Sequence, residues 1–263
     1  MGYIFTLANQ KGGVGKTTTA INLGAYLAYY GQRVLLVDLD PQANATSSLK
    51  VDKHTLKGST YDILLGSLPA ASIVLHNPRL KMSLLPASPA LAGAEVELVN
   101  EMAREQRLKT ALLSISERYD YVLIDCPPSL SLLTINGLVA ARDGVIIPVQ
   151  CEYLALEGLG QLTQTLAKVR AALFPELAIF GVLLTMYDGR TNLASQVEEE
   201  VRRHFPNNVF KSVIPRSVRL AEAPSHGEPI SSYAPGSSGA DAYAGLAREV
   251  LAMNGVQIPA LKV

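Results

Sequence analysis

Cysteine is scarce in this 263-residue chain: Cys126 and Cys151 are the only two. Two thiols cannot build the disulfide framework of a small secreted fold, so reduced thiols in a cytoplasmic setting are expected. Excess charge of either sign is also missing. Lys plus Arg and Asp plus Glu both number 23, for a net charge of zero. That balance argues against a globally basic nucleic-acid binder and leaves room only for a local basic patch. No apolar stretch reaches the roughly 20 residues of a membrane span. The apolar run 178–186 is short and suits a buried strand. No signal peptide precedes the first apolar run, and no repeat, low-complexity tract or linker interrupts the chain.

Hydrophobic residues make up 48% of the chain, enough for a sizeable core in one α/β domain or two small ones. Short runs rich in Val, Ile and Leu at 33–37, 82–85, 121–124, 145–149, 179–185 and 209–214 read as strands. Helical patterns fall between them, near 89–117, 131–141, 156–173, 192–204 and 238–253. Near-continuous apolar strands suit a parallel sheet covered on both faces. The alternation predicts a doubly wound α/β fold with a mostly parallel sheet. The Gly/Ser/Pro cluster at 224–239 reads as a surface loop before the last helix. The expected organisation is a single domain over 1–263, with 254–263 a loose tail because Gly255 and Pro259 break a helix.

The most informative segment follows the first apolar run. Residues 9–19 read Asn-Gln-Lys-Gly-Gly-Val-Gly-Lys-Thr-Thr-Thr. The usual phosphate-loop pattern, G-x-x-x-x-G-K-[ST], would place glycine at position 10; Gln10 stands there, followed by an extra lysine, Lys11. Gly12, Gly13 and Gly15 let the backbone curl close to phosphate oxygens, with Val14 and Thr18 in the same cradle. Lys16 is expected to reach the β- and γ-phosphates, and the Thr17 hydroxyl to ligate Mg²⁺. A helix opening near Thr17 would aim its dipole at the same anion. Lys11 has two readings, a solvated loop lysine or a cation for a triphosphate held by another subunit, and the residues alone leave both open.

Two apolar runs end in carboxylates: Val37 runs into Asp38-Leu39-Asp40, and Ile124 runs into Asp125-Cys126-Pro127-Pro128. Open α/β sheets bind ligands at such strand ends. Asp125 is the candidate Mg²⁺-side carboxylate, with a turn cap as its alternative. Asp38 and Asp40 are two apart, so an extended chain points both to one side.

Lys-Gly-Gly-Val-Gly-Lys-Thr-Thr resembles the deviant Walker A motif of the ParA/MinD ATPases. The resemblance implies a P-loop fold binding ATP or ADP with Mg²⁺. It implies that Lys11 crosses the interface of an ATP-sandwich homodimer while Lys16 serves its own nucleotide. Asp38-Leu39-Asp40-Pro41-Gln42 and Asp125 to Ser131 resemble the family's two switches, so Asp40 would position the attacking water and Asp38 would support Mg²⁺. Ala43 stands where glycine is common. Segments 183–193 and 213–225 resemble Soj-type chromosomal ParA members, and the likeness runs from residue 1 to about 253. It implies that Pro215 borders the adenine, and that Arg190 and Arg219 bind double-stranded DNA without sequence preference; Arg216 lies in the same stretch. That stretch, with Arg202, Arg203 and Lys211, reads on its own as a basic strip or as a solvated charged face.

With no obvious arginine finger, hydrolysis is expected to be weak and stimulated by a ParB-like partner. The implied role is a nucleoid-associated partition switch. Its alternatives are the same switch moving another cargo, a MinD-like membrane-surface ATPase and an electron-transfer protein. The ending Gly255 to Val263, with one lysine, lacks the basic amphipathic helix of a membrane binder. Cys126 lies inside a switch flanked by proline, a poor cluster ligand.

Overall fold

A computed structural model describes residues 2–153 and 155–257. The chain runs β1 (Tyr3–Leu7), α1 (Lys16–Tyr29), β2 (Val34–Asp38), α2 (Asn44–Ser48), α3 (Thr60–Leu65), α4 (Ala70–Ile73), β3 (Leu75–Asn77), β4 (Met82–Leu85), α5 (Leu91–Glu97) and α6 (Arg107–Leu113). It continues β5 (Tyr121–Asp125), α7 (Leu132–Ala140), β6 (Gly144–Gln150), α8 (Ala155–Ala172), β7 (Ile179–Thr185), α9 (Asn192–His204), α10 (Val218–Glu222), α11 (Ile230–Tyr233) and α12 (Ser238–Met253).

Seven strands form one sheet in the order β3-β4-β2-β5-β1-β6-β7. Every neighbouring pair is parallel except β3 with β4. Period-two alternation divides the core. Phe5, Leu7, Leu36, Leu123 and Leu183 face α1 and α12, whereas Ile4, Leu35, Val37, Val122 and Ile124 face α3 and α5 to α7. Val145, Ile147 and Leu184 meet α8 and α9. Helices therefore cover both faces, as the apolar strands require. Parallel pairing brings the carboxyl ends of β1, β2 and β5 together, with Asp125 in register with both Leu7 and Asp38.

Three expectations are corrected. Residues 209–214 form no strand. The segment touches β7 through Phe210 N to Val182 O (3.0 Å) and Ile214 N to Leu184 O (2.9 Å), but Lys211 and Ser212 donate their backbone N–H groups to the Glu249 carboxylate instead (2.7 and 2.9 Å). The helical region 89–117 is broken between α5 and α6, where two short 3₁₀ turns and Ala103 at φ 51° intervene. The buried amide of Asn136 on α7 enters that break, donating to Arg104 O (2.8 Å) and accepting from Leu108 N (3.1 Å). The cluster 224–239 is more than a loop. It holds α11, whose fully buried Ile230 donates its N–H to Asn22 Oδ1 (2.7 Å). Of the expected tail, α12 ends at Met253 and Gly255 follows at φ 70°; residues 258–263 lie outside the described residues.

Candidate functional site

The chain leaves β1 at Leu7 between Asp125 and Ile146 of the flanking strands and folds back over the sheet edge. Gly13 and Gly15 sit at φ 74° and 88°, where a Cβ is strained. Asn9 anchors the turn. Its Nδ2 donates to Pro148 O (2.7 Å), and its Oδ1 accepts from Lys11 N (3.0 Å). Thr185 at the end of β7 donates to Val14 O (2.9 Å). No side chain caps α1, so its first-turn N–H groups remain free for an anion.

The two lysines of the loop occupy opposite environments. Lys16 is buried, 6% exposed, and its Nζ donates to Lys11 O (3.2 Å). Burial lowers its pKa, and Asp125, Cys126 and Asp40 work against that shift. Lys11 turns outward. Its ammonium stands 3.8 Å from Glu152, with the side chain 32% exposed.

The three acids also differ. Asp38 is fully buried. Its Oδ2 accepts from Thr46 N (2.8 Å) and Thr46 Oγ1 (2.7 Å), and its Oδ1 from Asp40 N (3.2 Å). Burial raises its pKa to about 6 against those hydrogen bonds. Asp40 is 6% exposed and accepts from Gln42 N (2.9 Å), which shapes the turn into α2. Asp125 is fully buried, and neither carboxylate oxygen has a hydrogen-bond partner. Burial pushes its pKa well up and Asp38 adds to the shift, while the neighbouring Thr17 hydroxyl and Lys16 oppose it. An orphaned buried carboxylate beside a threonine hydroxyl fits a hard cation. Among the described residues no three His, Cys, Asp or Glu side chains converge on one point. A cation here would therefore keep water or phosphate ligands, the habit of Mg²⁺.

Beside the loop lies a mainly apolar cavity of about 300 Å³, walled by Gly15, Thr18, Met186, Pro215, Leu220 and Tyr243 among others. Met186 is held at φ 51°, and Tyr243, fully buried, shares a hydrogen bond with Thr19 (3.1 Å). Cavities of about 390 Å³ between α3 and α6 and about 410 Å³ around Lys53 and Ser88 are larger. Neither borders the glycine loop, so donor geometry and not size locates the site. Pro215 thus lines the cavity next to the loop. Sequence reasoning missed Asn9, Thr46, Thr185 and Glu152. Only Asn9 carried a local signal, being an amide at the start of a tight turn.

The two cysteines are buried, and burial raises both thiols, Cys151 to about 12. No helix among the described residues is long and apolar enough to cross a membrane.

The basic stretch is exposed but internally paired. Arg190 forks onto Asp188 (2.7 and 2.8 Å), whose carboxyl it holds down at about 2. Arg219 meets Glu222 (3.0 Å), and Arg216 meets Glu152 (3.1 Å). On α9, Arg202 pairs with Glu198, and Arg203 with Glu199 and Glu200. Among the described residues the Lys211 ammonium, alone of the six cationic groups, has no ion-pair partner.

The profile of a family described as AAA domain matches residues 2–179. The sporulation initiation inhibitor protein Soj of Bacillus subtilis is 56% identical over 252 residues, covering 96% of this chain and 99% of that protein. The chromosome partitioning protein ParA of Myxococcus xanthus is 51% identical over 264 residues, covering 100% and 93%. Among solved structures, cobyrinic acid a,c-diamide synthase of Mycobacterium smegmatis with bound ADP and magnesium has a TM-score of 0.85 at 39% identity, and each chain is covered in full. The doubly wound sheet, the glycine loop carrying two lysines and full-length identity above one half agree: the chain belongs to the Soj/ParA family of chromosome-partitioning ATPases.

Proposed function

We propose that this chain is a weak, Mg²⁺-dependent ATPase that acts as a single-domain switch. With ATP it closes into a homodimer that binds double-stranded DNA without sequence preference. A ParB-like partner stimulates hydrolysis and ADP releases the DNA, which makes the protein cytoplasmic and nucleoid-associated. The observation carrying this reading is the division of labour between the loop lysines: Lys16 is buried at its own strand ends, and Lys11 faces outward from the same loop. A partly exposed cation that is not buried with Lys16 at the strand ends is available to a neighbour's phosphates.

Gly12, Gly13, Val14 and Gly15 would cradle the phosphates with Thr18, and Lys16 would neutralise the β- and γ-oxygens. The cavity beside Pro215 takes the base. Thr17 and Asp125 would hold Mg²⁺, with Asp38 supporting them through its position beside Asp125. Mg²⁺, when bound, supplies charge neutralisation across the phosphates. Asp40 would orient the attacking water, and the Asp38–Thr46 bonds fix the turn that carries it. Arg190, Arg216 and Arg219 would exchange their carboxylate partners for DNA phosphates, since exposed pairs of this kind are weak and screened by solvent. Another cargo moved by the same switch remains the alternative, and no residue of the site favours it.

Sizing chromatography with and without ATP, Mg²⁺ and DNA tests the reading. The wild type should run as a dimer with ATP. Lys11→Ala should bind nucleotide and stay monomeric. A Lys11→Ala dimer that forms at wild-type ATP concentrations would refute the crossing role. Asp40→Ala should remain an ATP dimer on DNA, and normal turnover by that variant would remove Asp40 from the site.

A further inference from the structure

Glu152 belongs to neither the loop nor the basic stretch, yet it touches both. It lies just past β6. Its Oε1 accepts from Arg216 Nη2 (3.1 Å) and from Gln150 Nε2 (2.5 Å), and its Oε2 faces Lys11 Nζ at 3.8 Å. Among the described residues it is the one carboxylate paired with either cation. Arg216 also acts on Asp188, which holds Arg190. Ion pairs thus run from Lys11 through Glu152 to Arg216, and the separate Asp188–Arg190 pair lies near enough to feel the Arg216 charge.

We propose that Glu152 is a positioning residue which, in the nucleotide-free chain, holds Lys11 back from a neighbour's triphosphate and Arg216 back from DNA. The inference rests on the function proposed above and adds a residue to it. The physical argument is competition. One carboxylate faces two cations, and Gln150 fixes it between them. Each cation must leave Glu152, or share it, before it can meet a phosphate. Both sites are partly solvated, so the restraint is modest and salt-sensitive. It acts on two distant ligands at once because the acid is shared.

Glu152→Gln keeps the shape and removes the charge. DNA affinity of the nucleotide-free variant should rise roughly 2–5-fold, the range that losing one exposed pair allows. The salt slope of binding should steepen by about one unit as Arg216 becomes available to a phosphate. The ATP concentration that gives half-maximal dimer should fall by a similar factor. Glu152→Asp should restore values near wild type, because the charge returns. Double-mutant cycles separate this role from a merely structural one. The gain in DNA affinity should vanish in Glu152→Gln/Arg216→Ala, and the gain in dimerisation should vanish in Glu152→Gln/Lys11→Ala.

Gains that persist in both double variants would overturn the proposal, as would a Glu152→Gln protein with wild-type DNA affinity and salt slope. Those results leave the switch itself standing. A wild-type protein that binds no DNA at low salt with ATP and Mg²⁺ would instead overturn both readings. Thermal melting of each variant checks that the fold is retained, and the Glu152→Asp rescue decides the case where Glu152→Gln is unstable.

Discussion

The strand-end site and the basic surface both collect charge, but under opposite conditions. At the strand ends, Asp38, Asp125 and Lys16 are buried within one small volume, and Asp125 has no hydrogen-bond partner. On the surface, Arg190, Arg216 and Arg219 are each more than half exposed and each has a carboxylate. Buried charge is expensive without its ligand, so the first region is poised for a cation and an anion. Exposed pairs exchange at little cost, so the second suits a partner that is grasped and released. Tight, obligatory binding is built where solvent is absent, and reversible binding where solvent screens.

The largest expected effect would break the strand-end half of this contrast. Lys16→Ala removes the buried cation and should weaken ATP binding by at least about 30-fold, since losing one partner of a buried charge pair costs about 2–5 kcal/mol. Titration calorimetry measures it, and retained affinity would show that the site lies elsewhere.

Asp125→Asn sharpens the same half by separating function from stability. Mg²⁺-dependent hydrolysis should be lost. The nucleotide-free protein should gain about 1–3 kcal/mol, because an unpartnered buried carboxylate is replaced by a neutral group. The sign with pH follows from the raised pKa values. Asp38, at about 6, and Asp125 both sit above the ordinary carboxylate value in the folded chain. Their stabilising contribution is complete below that ordinary value and is lost as pH rises through the folded values. The melting advantage of Asp125→Asn should therefore grow as pH rises above the ordinary carboxylate value. An advantage that shrinks with pH would contradict the burial argument.

Arg219→Glu tests the surface half. It replaces the partner of Glu222 by a like charge and should reduce DNA affinity roughly 10-fold, with a salt slope shallower by about one unit. Unchanged binding across a salt series would move the contact to other residues. The smallest effect is expected in the turn that follows Asp40. Ala43 precedes α2 at φ 52°, a conformation that costs a non-glycine residue about 1–2 kcal/mol. Ala43→Gly relieves that strain but loses a buried methyl and adds chain entropy to the unfolded state, so denaturant melts should shift by less than about 1 kcal/mol. A larger shift would mean that the turn after Asp40 is held more tightly than its two carboxylate hydrogen bonds imply.

Sequence pattern located most of the sheet because β2, β5, β6 and β7 are short, continuous apolar runs flanked by polar turns. It also located α9 and α12, which Thr191 and Ser237 cap locally, each accepting from the N–H three residues on. It failed where a distant residue intervened. Glu249 on α12 takes the N–H groups that residues 211 and 212 would have given a strand, and Asn136 on α7 interrupts the helical stretch before α6. The edge strand β3 is only three residues long and mostly exposed, so it carries no apolar signature.

By itself the sequence determined the glycine loop, its two lysines and the three aspartates, because a phosphate cradle is a local motif whose glycines and donors must be consecutive. Only the tertiary structure decided what those groups face. Parallel register set Asp125 beside Asp38, burial left Asp125 without a partner, and the approach of residue 152 to residues 11 and 216 gave one carboxylate two cations. Distances across the fold depend on packing between segments, and no run of neighbouring residues encodes them alone.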